Sequence, residues 1–196
     1  MSGRPRRASH VPWAALIVGI LACPVGARAE TLEKFNGHLA VGYAKLFATK
    51  APGGSMSFTG GVDYPVSPGF RAGFDLGFHL LGSRSEVRGS AVATVDYSMF
   101  EAVAFAHWIP STLGPLGRLS FGPALLVAHA DLSASAGGAG FSDLAVEDVA
   151  PGVAIDATLI SRSSAPVRVG LELGGRLGFV EPEHWKLATA RLAIHY

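Results

Sequence analysis

Three residues in the second half of the chain have the types that hydrolases use for nucleophilic catalysis. His129, Asp131 and Ser133 occupy every second position. A serine attacks a substrate when a histidine accepts its proton and an acid orients that histidine. Alternate residues of a strand share a face, but they lie roughly 6–7 Å apart along the backbone, too far for three in a row to reach that geometry unaided. The spacing favours an interfacial histidine among polar loop residues, and we predict that the protein is not an enzyme.

Two acidic segments are the other candidates for chemistry. Asp143, Glu147 and Asp148 lie in one segment, and Glu181 and Glu183 in the other. Carboxylate oxygens are suitable ligands for a divalent cation, but this spacing does not match a calcium-binding loop. We predict solvated loops and no metal site.

No other cofactor site is predicted. The glycines at every fourth position from Gly170 to Gly178 lie within a strand-like segment, whereas a dinucleotide-binding loop needs a strand-to-helix turn. Cys23 is the single cysteine, and it lies in an N-terminal segment that we expect to be removed. The mature chain would therefore form neither a disulfide nor a cysteine metal site.

Most charged residues lie in segments of alternating polarity, and Phe70–Leu81 is the clearest of them. Every even-numbered residue of this segment is apolar, whereas the odd-numbered ones include an arginine, an aspartate and a histidine. Successive side chains of a strand point to opposite faces, so the pattern predicts a two-faced strand. At about 3.3 Å per residue it has the length that a tilted strand needs to cross a bilayer.

Eight such segments follow the N-terminal region, separated alternately by compact turns and by longer polar loops. They cover Phe35–Ala48, Ser55–Tyr64, Phe70–Leu81, Ala91–Trp108, Arg118–Ala130, Val149–Ile160, Val167–Gly178 and Lys186–Tyr196. The longer connections include the predicted loops Arg84–Ser90 and Asp131–Asp148. Short turns at one end, longer loops at the other and an even number of strands are typical of a membrane barrel.

Composition indicates the same fold class. Charged residues make up 16% of the 196 residues, against about 25% in a soluble domain, and the mean hydropathy is +0.34. Outside the N-terminus, however, no window has the roughly 18 consecutive apolar residues of a spanning helix. We predict an all-β, eight-stranded, antiparallel, up-and-down transmembrane β-barrel.

The N-terminal segment has the features of a signal peptide. Three arginines within the first seven residues precede an apolar run from Val11 to Ala22, and Ala27-Arg28-Ala29 supplies a cleavage site. We predict a signal peptide at residues 1–29 and a barrel domain at residues 30–196; a short membrane anchor and lipoprotein processing at Cys23 are the alternatives. Cleavage removes four of the 16 basic residues and leaves 12 against 15 acidic ones. No basic patch suggests a nucleic-acid partner.

The last segment resembles the C-terminal insertion signal of bacterial outer-membrane β-barrels. Its alternating residues, which end on a terminal aromatic, are Ala188, Ala190, Leu192, Ile194 and Tyr196. In that family the barrel-assembly machinery reads the signal, so the resemblance implies this machinery as a partner. With eight strands, the mature chain resembles the small barrels of the OmpA, OmpX and OmpW type. That resemblance implies a bacterial outer-membrane location among lipid and lipopolysaccharide, whose phosphates Lys45 and Lys186 are placed to meet; we expect a monomer.

The strand face that does not meet lipid predicts a charged interior. An eight-stranded barrel is just wide enough to be filled by side chains, and equal numbers of opposite charges avoid unpaired buried ones. We expect Asp63 directly opposite Arg71, Glu172 near Arg191, and a plugged lumen rather than an open pore. His79 is expected to join them. The ten charged residues assigned to this network are Asp63, Arg71, Asp75, Asp96, Arg118, Asp156, Arg168, Glu172, Arg176 and Arg191.

One segment conflicts with this assignment. If the apolar residues of Ala91–Trp108, such as Val103 and Phe105, face lipid, then Glu101 shares their face. A charge on the lipid face near the bilayer midplane costs roughly 2–4 kcal/mol. Two explanations stay open: a bulge near Ser98–Glu101, or a position of Glu101 closer to an interface.

These observations predict a non-enzymatic integral outer-membrane barrel with a structural or interaction role through its extracellular loops. Three alternatives remain. The first is a conduit for small hydrophobic solutes through a lateral opening, which the OmpW resemblance allows, and the second is a barrel enzyme that modifies lipid A. The third is a secreted lipocalin-like ligand carrier, in which the apolar face of Phe70–Leu81 would point inward.

Overall fold

The computed structural model describes residues 35–47, 53–110, 116–136, 139–160, 167–181 and 184–196. These residues form eight strands: β1 (Asn36–Phe47), β2 (Gly54–Ser67), β3 (Phe70–Arg88), β4 (Ala91–Trp108), β5 (Leu116–Ala136), β6 (Ala139–Ile160), β7 (Arg168–Gly178) and β8 (Trp185–His195). The predicted signal peptide lies outside the described ranges. Within those ranges, no helix is long and apolar enough to cross a membrane.

The sheet closes on itself. Each strand pairs antiparallel with the next, and β8 pairs with β1. Backbone hydrogen bonds of 2.8 and 3.0 Å between Gly37 and Tyr196 continue this β1–β8 seam to the last residue. The predicted eight-stranded antiparallel barrel is thus confirmed. Because the strand number is even, β1 begins and β8 ends at the same end of the barrel, which we call the termini end; the opposite end is the hairpin end.

The outside of the barrel carries a belt of apolar side chains. On β3, Phe74, Leu76 and Phe78 are exposed, whereas Asp75 and His79 between them are buried. This is the facing that the alternation in Phe70–Leu81 predicts. Other exposed members of the belt are Leu39, Val41, Phe58, Val62, Phe121, Leu125, Val153, Ile155, Leu171, Leu173, Leu192 and Ile194.

The two central hairpins reach beyond the rest of the barrel. Strands β3 and β4 stay paired up to Arg88 opposite Ala91, and the tight turn between them contains Gly89 with φ +61°. Similarly, β5 and β6 stay paired up to Ala136 opposite Ala139. The predictions of loops at Arg84–Ser90 and Asp131–Asp148 are therefore wrong, because polar alternation in these stretches belongs to strands that are solvated on one face. Measured along the strand, β3 extends about 20 Å beyond Leu81, its last buried residue.

We call this extension the protruding sheet: Gly82–Arg88, Ala91–Tyr97, Ala130–Ala136 and Ala139–Val146. Its two outer strands lack a strand neighbour among the described residues. Strand β2 pairs with β3 only as far as Ser57 opposite His79, and β7 pairs with β6 only from Gly178 opposite Gly152. As far as the structure describes the chain, both edges of the protruding sheet are therefore open.

The lumen is divided into two layers along the barrel axis. Buried apolar side chains fill the hairpin end, with Leu81, Met99, Leu126 and Leu187 at most 2% exposed. Charged and polar side chains fill the middle and the termini end. We call the first group the apolar layer; the second contains the candidate site.

Candidate functional site: the ion-pair network of the lumen

Arg176 on β7 is the centre of the charged layer. Its guanidinium donates two hydrogen bonds to Glu101 on β4, of 2.7 and 3.1 Å, and two to Asp156 on β6, of 2.6 and 3.0 Å. All three side chains are at most 5% exposed. Paired forks of this kind are the strongest charge-assisted hydrogen bonds that side chains make. Arg176 also lies over the ring of Phe105, with its Cζ 5.6 Å from the ring centroid, and so joins the two layers.

Two further arginines extend the cluster to the termini end. Arg191 Nη2 lies 3.4 Å from Asp156 Oδ2, and its Nε lies 3.5 Å from Glu172 Oε2. Arg118 Nη2 donates to Glu172 Oε1 at 3.1 Å and Nη1 to Asp63 Oδ2 at 3.2 Å.

Arg71 joins the same cluster through its ion pair with Asp63. We call these eight residues the lumen network: Asp63, Arg71, Glu101, Arg118, Asp156, Glu172, Arg176 and Arg191. They form one unbroken series of ion pairs, which links strands β2 to β8.

The local pairings follow from strand register. Glu172 lies directly opposite Arg191, so side chains of opposite charge meet on the inner face. Asp63 lies opposite Gly73, and Pro65 opposite Arg71. The prediction that Asp63 and Arg71 sit directly opposite each other is therefore wrong in register, and Arg71 reaches Asp63 along the diagonal.

Three of the ten predicted residues lie outside the lumen network. Asp75 is buried and pairs instead with His38 of β1, with Nε2 3.3 Å from Oδ2. Arg168 is half-buried beside His195 at the termini end, with no described carboxylate within ion-pair distance. Asp96 is exposed on the outer face and accepts a hydrogen bond from Ser83. Its assignment to the lumen is wrong because β4 presents its odd-numbered residues inward.

That facing of β4 also explains the conflict over Glu101. Met99, Glu101, Val103 and Phe105 are all at most 3% exposed, and the pairing of β4 with β5 keeps one register from Ala91 to Val103. Neither a bulge in β4 nor an interfacial position accounts for Glu101. The predicted lipid facing of these apolar residues, which also include Val95 and Tyr97, is wrong. Val103 and Phe105 belong to the apolar layer of the lumen, and Val95 and Tyr97 continue the same inner face above them. Glu101 itself was the available signal: its charge identifies the inner face of the strand.

A serine, a histidine and an acid also meet inside the barrel. Ser57 Oγ lies 2.9 Å from His79 Nδ1, and His79 Nε2 lies 3.4 Å from Glu101 Oε1. The order of contacts matches that of a serine hydrolase. However, none of the three side chains is measurably exposed, and a Cβ on Gly77 would lie only 2.5 Å from Glu101 Cγ. A substrate has no room there, so the trio extends the lumen network through the hydrogen bond between Ser57 and His79 and the ion-pair contact of His79 with Glu101.

Comparison with known proteins supports the fold from a different direction. No protein-family model matches the sequence, and no curated protein matches it. Among solved structures, Neisserial surface protein A is similar with a TM-score of 0.54 at 12% identity, covering 83% of this chain and 96% of that one. Ail, the attachment invasion locus protein of Yersinia pestis, is similar in its complex with the heparin analogue sucrose octasulfate, with a TM-score of 0.51 at 11% identity, covering 83% and 99%.

The fold is that of the small eight-stranded outer-membrane β-barrels.

In this barrel, the three candidate catalytic residues of β5 do not form a triad. His129 Nε2 lies 3.0 Å from Asp131 Oδ1, and its Nδ1 lies 3.4 Å from Glu147 Oε1. Ser133 turns away and donates to the backbone oxygen of Thr94 at 3.4 Å. The histidine is thus held between two carboxylates on the outer face of the protruding sheet, without a nucleophile beside it.

The acidic segments lie at the same end of the barrel. Asp148 and Glu181 are exposed, and Asp148 accepts a hydrogen bond of 2.9 Å from the backbone of Val149. The side chains of Asp143 and Glu183 lie outside the described residues. In the part of the chain that is described, no group of three or more histidine and acidic side chains is arranged to hold a metal ion.

The last strand of the barrel alternates as the insertion-signal resemblance requires. Ala188, Ala190, Leu192, Ile194 and Tyr196 are all exposed, and the residues between them point into the lumen. The ring of Tyr196 packs against Gly37, where a Cβ would lie 2.5 Å from it. Glycine at position 37 therefore lets the terminal aromatic lie flat across the β1–β8 seam.

Proposed function

We propose that the protein is a non-enzymatic integral protein of the bacterial outer membrane that presents the protruding sheet to the outside as an interaction surface. The observation that carries this proposal is the apolar belt around a closed barrel whose lumen holds the ion-pair network. In hydrocarbon every backbone group must be paired internally, and a closed barrel meets that demand. A lipocalin-like carrier would need the reverse arrangement, with an apolar cavity and a polar outside.

The filled lumen supports a structural role over transport. Leu81, Met99 and Leu126 close the hairpin end, and the forked ion pairs of Arg176 cross the middle. A small hydrophobic solute following the barrel axis would have to displace both layers. An axial route is therefore disfavoured, and the conduit alternative requires a lateral opening in the barrel wall.

The open edges of the protruding sheet support the interaction role. Unpaired backbone N–H and C=O groups on an edge strand can accept a strand from another protein. The β5–β6 hairpin carries Asp131, Glu147 and Asp148, and no lysine or arginine occurs between residues 119 and 161. Complementarity of charge favours a basic partner, in contrast to the polyanionic heparin analogue in the Ail complex.

A gel-mobility assay tests the membrane assignment. We expect the protein, extracted from outer membranes in detergent, to migrate differently in denaturing gels before and after boiling, because a lipid-facing barrel stays folded in detergent until it is heated. Recovery in a soluble periplasmic extract, without a mobility shift, would contradict the proposal and favour the carrier.

An epitope tag tests which end of the barrel faces outward. We expect a tag inserted between Gly89 and Ser90, at the tip of the β3–β4 hairpin, to bind antibody on intact cells. The matched control is the same tag at Gly69, in the turn of φ +81° at the termini end, which should bind antibody only after the cells are opened. The reverse pattern would place the protruding sheet in the periplasm and remove its proposed role.

The proposed partners in the envelope are the barrel-assembly machinery, outer-membrane lipid and lipopolysaccharide. Lys45 and Lys186 are exposed on neighbouring strands at the hairpin end, where lipopolysaccharide phosphates would lie. We further propose that the barrel is a monomer and acts without a cofactor.

Replacement of the terminal aromatic tests the assembly partner. We expect Tyr196→Ser to lower the amount of folded barrel in cells by about tenfold, the equivalent of 1.4 kcal/mol in recognition, while refolding of the purified chain into lipid vesicles stays efficient. Phe179→Ser, at an exposed aromatic of the hairpin end, is the control and should leave the cellular amount unchanged. Equal losses in cells and in vesicles would indicate a structural role of Tyr196 alone.

A further inference from the structure

The two faces of the protruding sheet differ, and one of them carries two rows of apolar side chains. Residues directly opposite each other in antiparallel strands share a face, and the register places Val95, Leu132 and Leu144 in one row and Tyr97, Ala130 and Val146 in the next. Since β4 keeps its register down to Met99, these rows continue the face that lines the lumen. We call these six residues the inner apolar face.

The inner apolar face is open above the barrel. Leu144 is 62% exposed and Val146 is 56% exposed, whereas Tyr97 packs against the apolar layer beneath. The opposite face of the same strands carries Asp96, Asp131 and Ser133 beside these rows, and Val87 and Val92 nearer the tip. The apolar rows therefore do not belong to the lipid-facing belt, which lies on the other side of the sheet.

Charge differs between the two flanks of this face. Arg84 on β3 lies opposite Val95 and so begins the row that ends at Leu144. It is 40% exposed and forms a surface pair with Glu86 at 3.4 Å, a type of contact that contributes little to stability. Arg88, also on the inner side, is exposed nearer the tip. On the far flank, the exposed Asp148 follows Val146 toward the barrel. The β3 flank thus carries two arginines against one glutamate, Glu86, whereas the described β6 flank carries Asp148.

We propose that the inner apolar face binds an anionic amphiphile with a single acyl chain, such as a medium-chain fatty acid. Its carboxylate would pair with Arg84, and its chain would lie across Val95 and Leu132 to Leu144. Four neighbouring strands span about 14 Å, comparable with an extended chain of about ten to twelve carbons. Asp148 on the β6 flank disfavours the opposite orientation. This inference goes beyond the proposed function, because it assigns a small ligand to a face rather than a protein to an edge.

Photo-crosslinking tests the site directly. The full-length mature barrel, folded in amphipol, is illuminated with dodecanoate that carries a diazirine at the end of its chain, and labelled peptides are mapped by mass spectrometry. We expect label on the peptides that contain Leu132 and Leu144, and its loss when unlabelled dodecanoate is added. Leu144→Asp should lower this label by about tenfold. Val92→Asp, on the outer face of β4, is the matched control and should leave it within about twofold.

The charge of the head group separates this ligand from other hydrophobes. Arg84→Glu should weaken labelling by the dodecanoate probe but not by a dodecanol probe with the same diazirine. Labelling confined to belt peptides, insensitivity to Leu144→Asp, or stronger labelling by a dodecylamine probe would each overturn the proposal. Heat-shifted gel mobility of every variant confirms that the barrel is folded.

Discussion

Replacing Glu101 with glutamine is expected to lower the free energy of unfolding by about 3–5 kcal/mol. The side chain is fully buried, accepts both hydrogen bonds of one guanidinium fork of Arg176, and lies 3.7 Å from Arg191 Nη1. Glutamine keeps the shape but removes the charge, so two arginines would share the remaining carboxylates inside a narrow lumen. Urea titration of the barrel in lipid vesicles, followed by the fluorescence of Trp108 and Trp185, measures the change.

Asp96→Asn is the matched control for that experiment. Asp96 is also an acid on β4 and also hydrogen-bonded, but it is exposed, so we expect a change within about 0.5 kcal/mol. The double variant Glu101→Gln, Arg176→Gln should lose less stability than the two single variants added together, since contacting residues are coupled. Strict additivity, or equal costs at Glu101 and Asp96, would show that the lumen network does not hold the barrel together.

Leu126→Ala is expected to cost about 2–5 kcal/mol of unfolding free energy. Leu126 belongs to the apolar layer and has no exposed surface. Its truncation would leave a cavity between strands that cannot move closer, because the backbone hydrogen bonds of the barrel fix their spacing. The same urea titration measures the loss.

Leu144→Ala supplies the comparison for the cavity argument. Leu144 lies on the neighbouring strand but is largely exposed on the protruding sheet, and we expect a change within about 0.5 kcal/mol. If the two leucines cost the same, the apolar layer would not be a packed core. If Leu126→Ala left the unfolding free energy unchanged but produced steady ion conductance in planar bilayers, the apolar layer would block the lumen without stabilising the fold.

The fold was predictable because a period of two persists through each strand of the barrel. In Phe70–Leu81 every second residue is apolar, and a strand has only two faces. The pattern therefore leaves one question, which is whether the apolar face points outward to lipid or inward. The same reasoning did not find where strands end. Arg84–Ser90 and Asp131–Asp148 read as loops, since the sequence does not distinguish a polar loop from a strand that leaves the barrel.

The interior was harder to predict than the exterior. Val103 and Phe105 were assigned to lipid because hydrophobicity alone does not say which apolar environment a strand face meets. Here the lumen has an apolar layer of its own. Contacts between adjacent strands, such as Glu172 with Arg191, follow from hairpin register. The fork between Glu101 and Arg176 spans 75 positions and depends on the stagger of the closed barrel, which single strands do not reveal.

The ion pairs of the lumen network join early strands to late ones, and this constrains how the chain can enter a bilayer. The carboxylate of Glu101 lies in the first half of the barrel, and its guanidinium partners come from β7 and β8. An insertion that proceeded one hairpin at a time would expose that carboxylate to hydrocarbon before either guanidinium arrived, and would leave sheet edges unpaired there as well. Burial of β4 before β7 and β8 arrive would leave Glu101 without its guanidinium partners, so we expect the last two strands to be in place when β4 enters the bilayer.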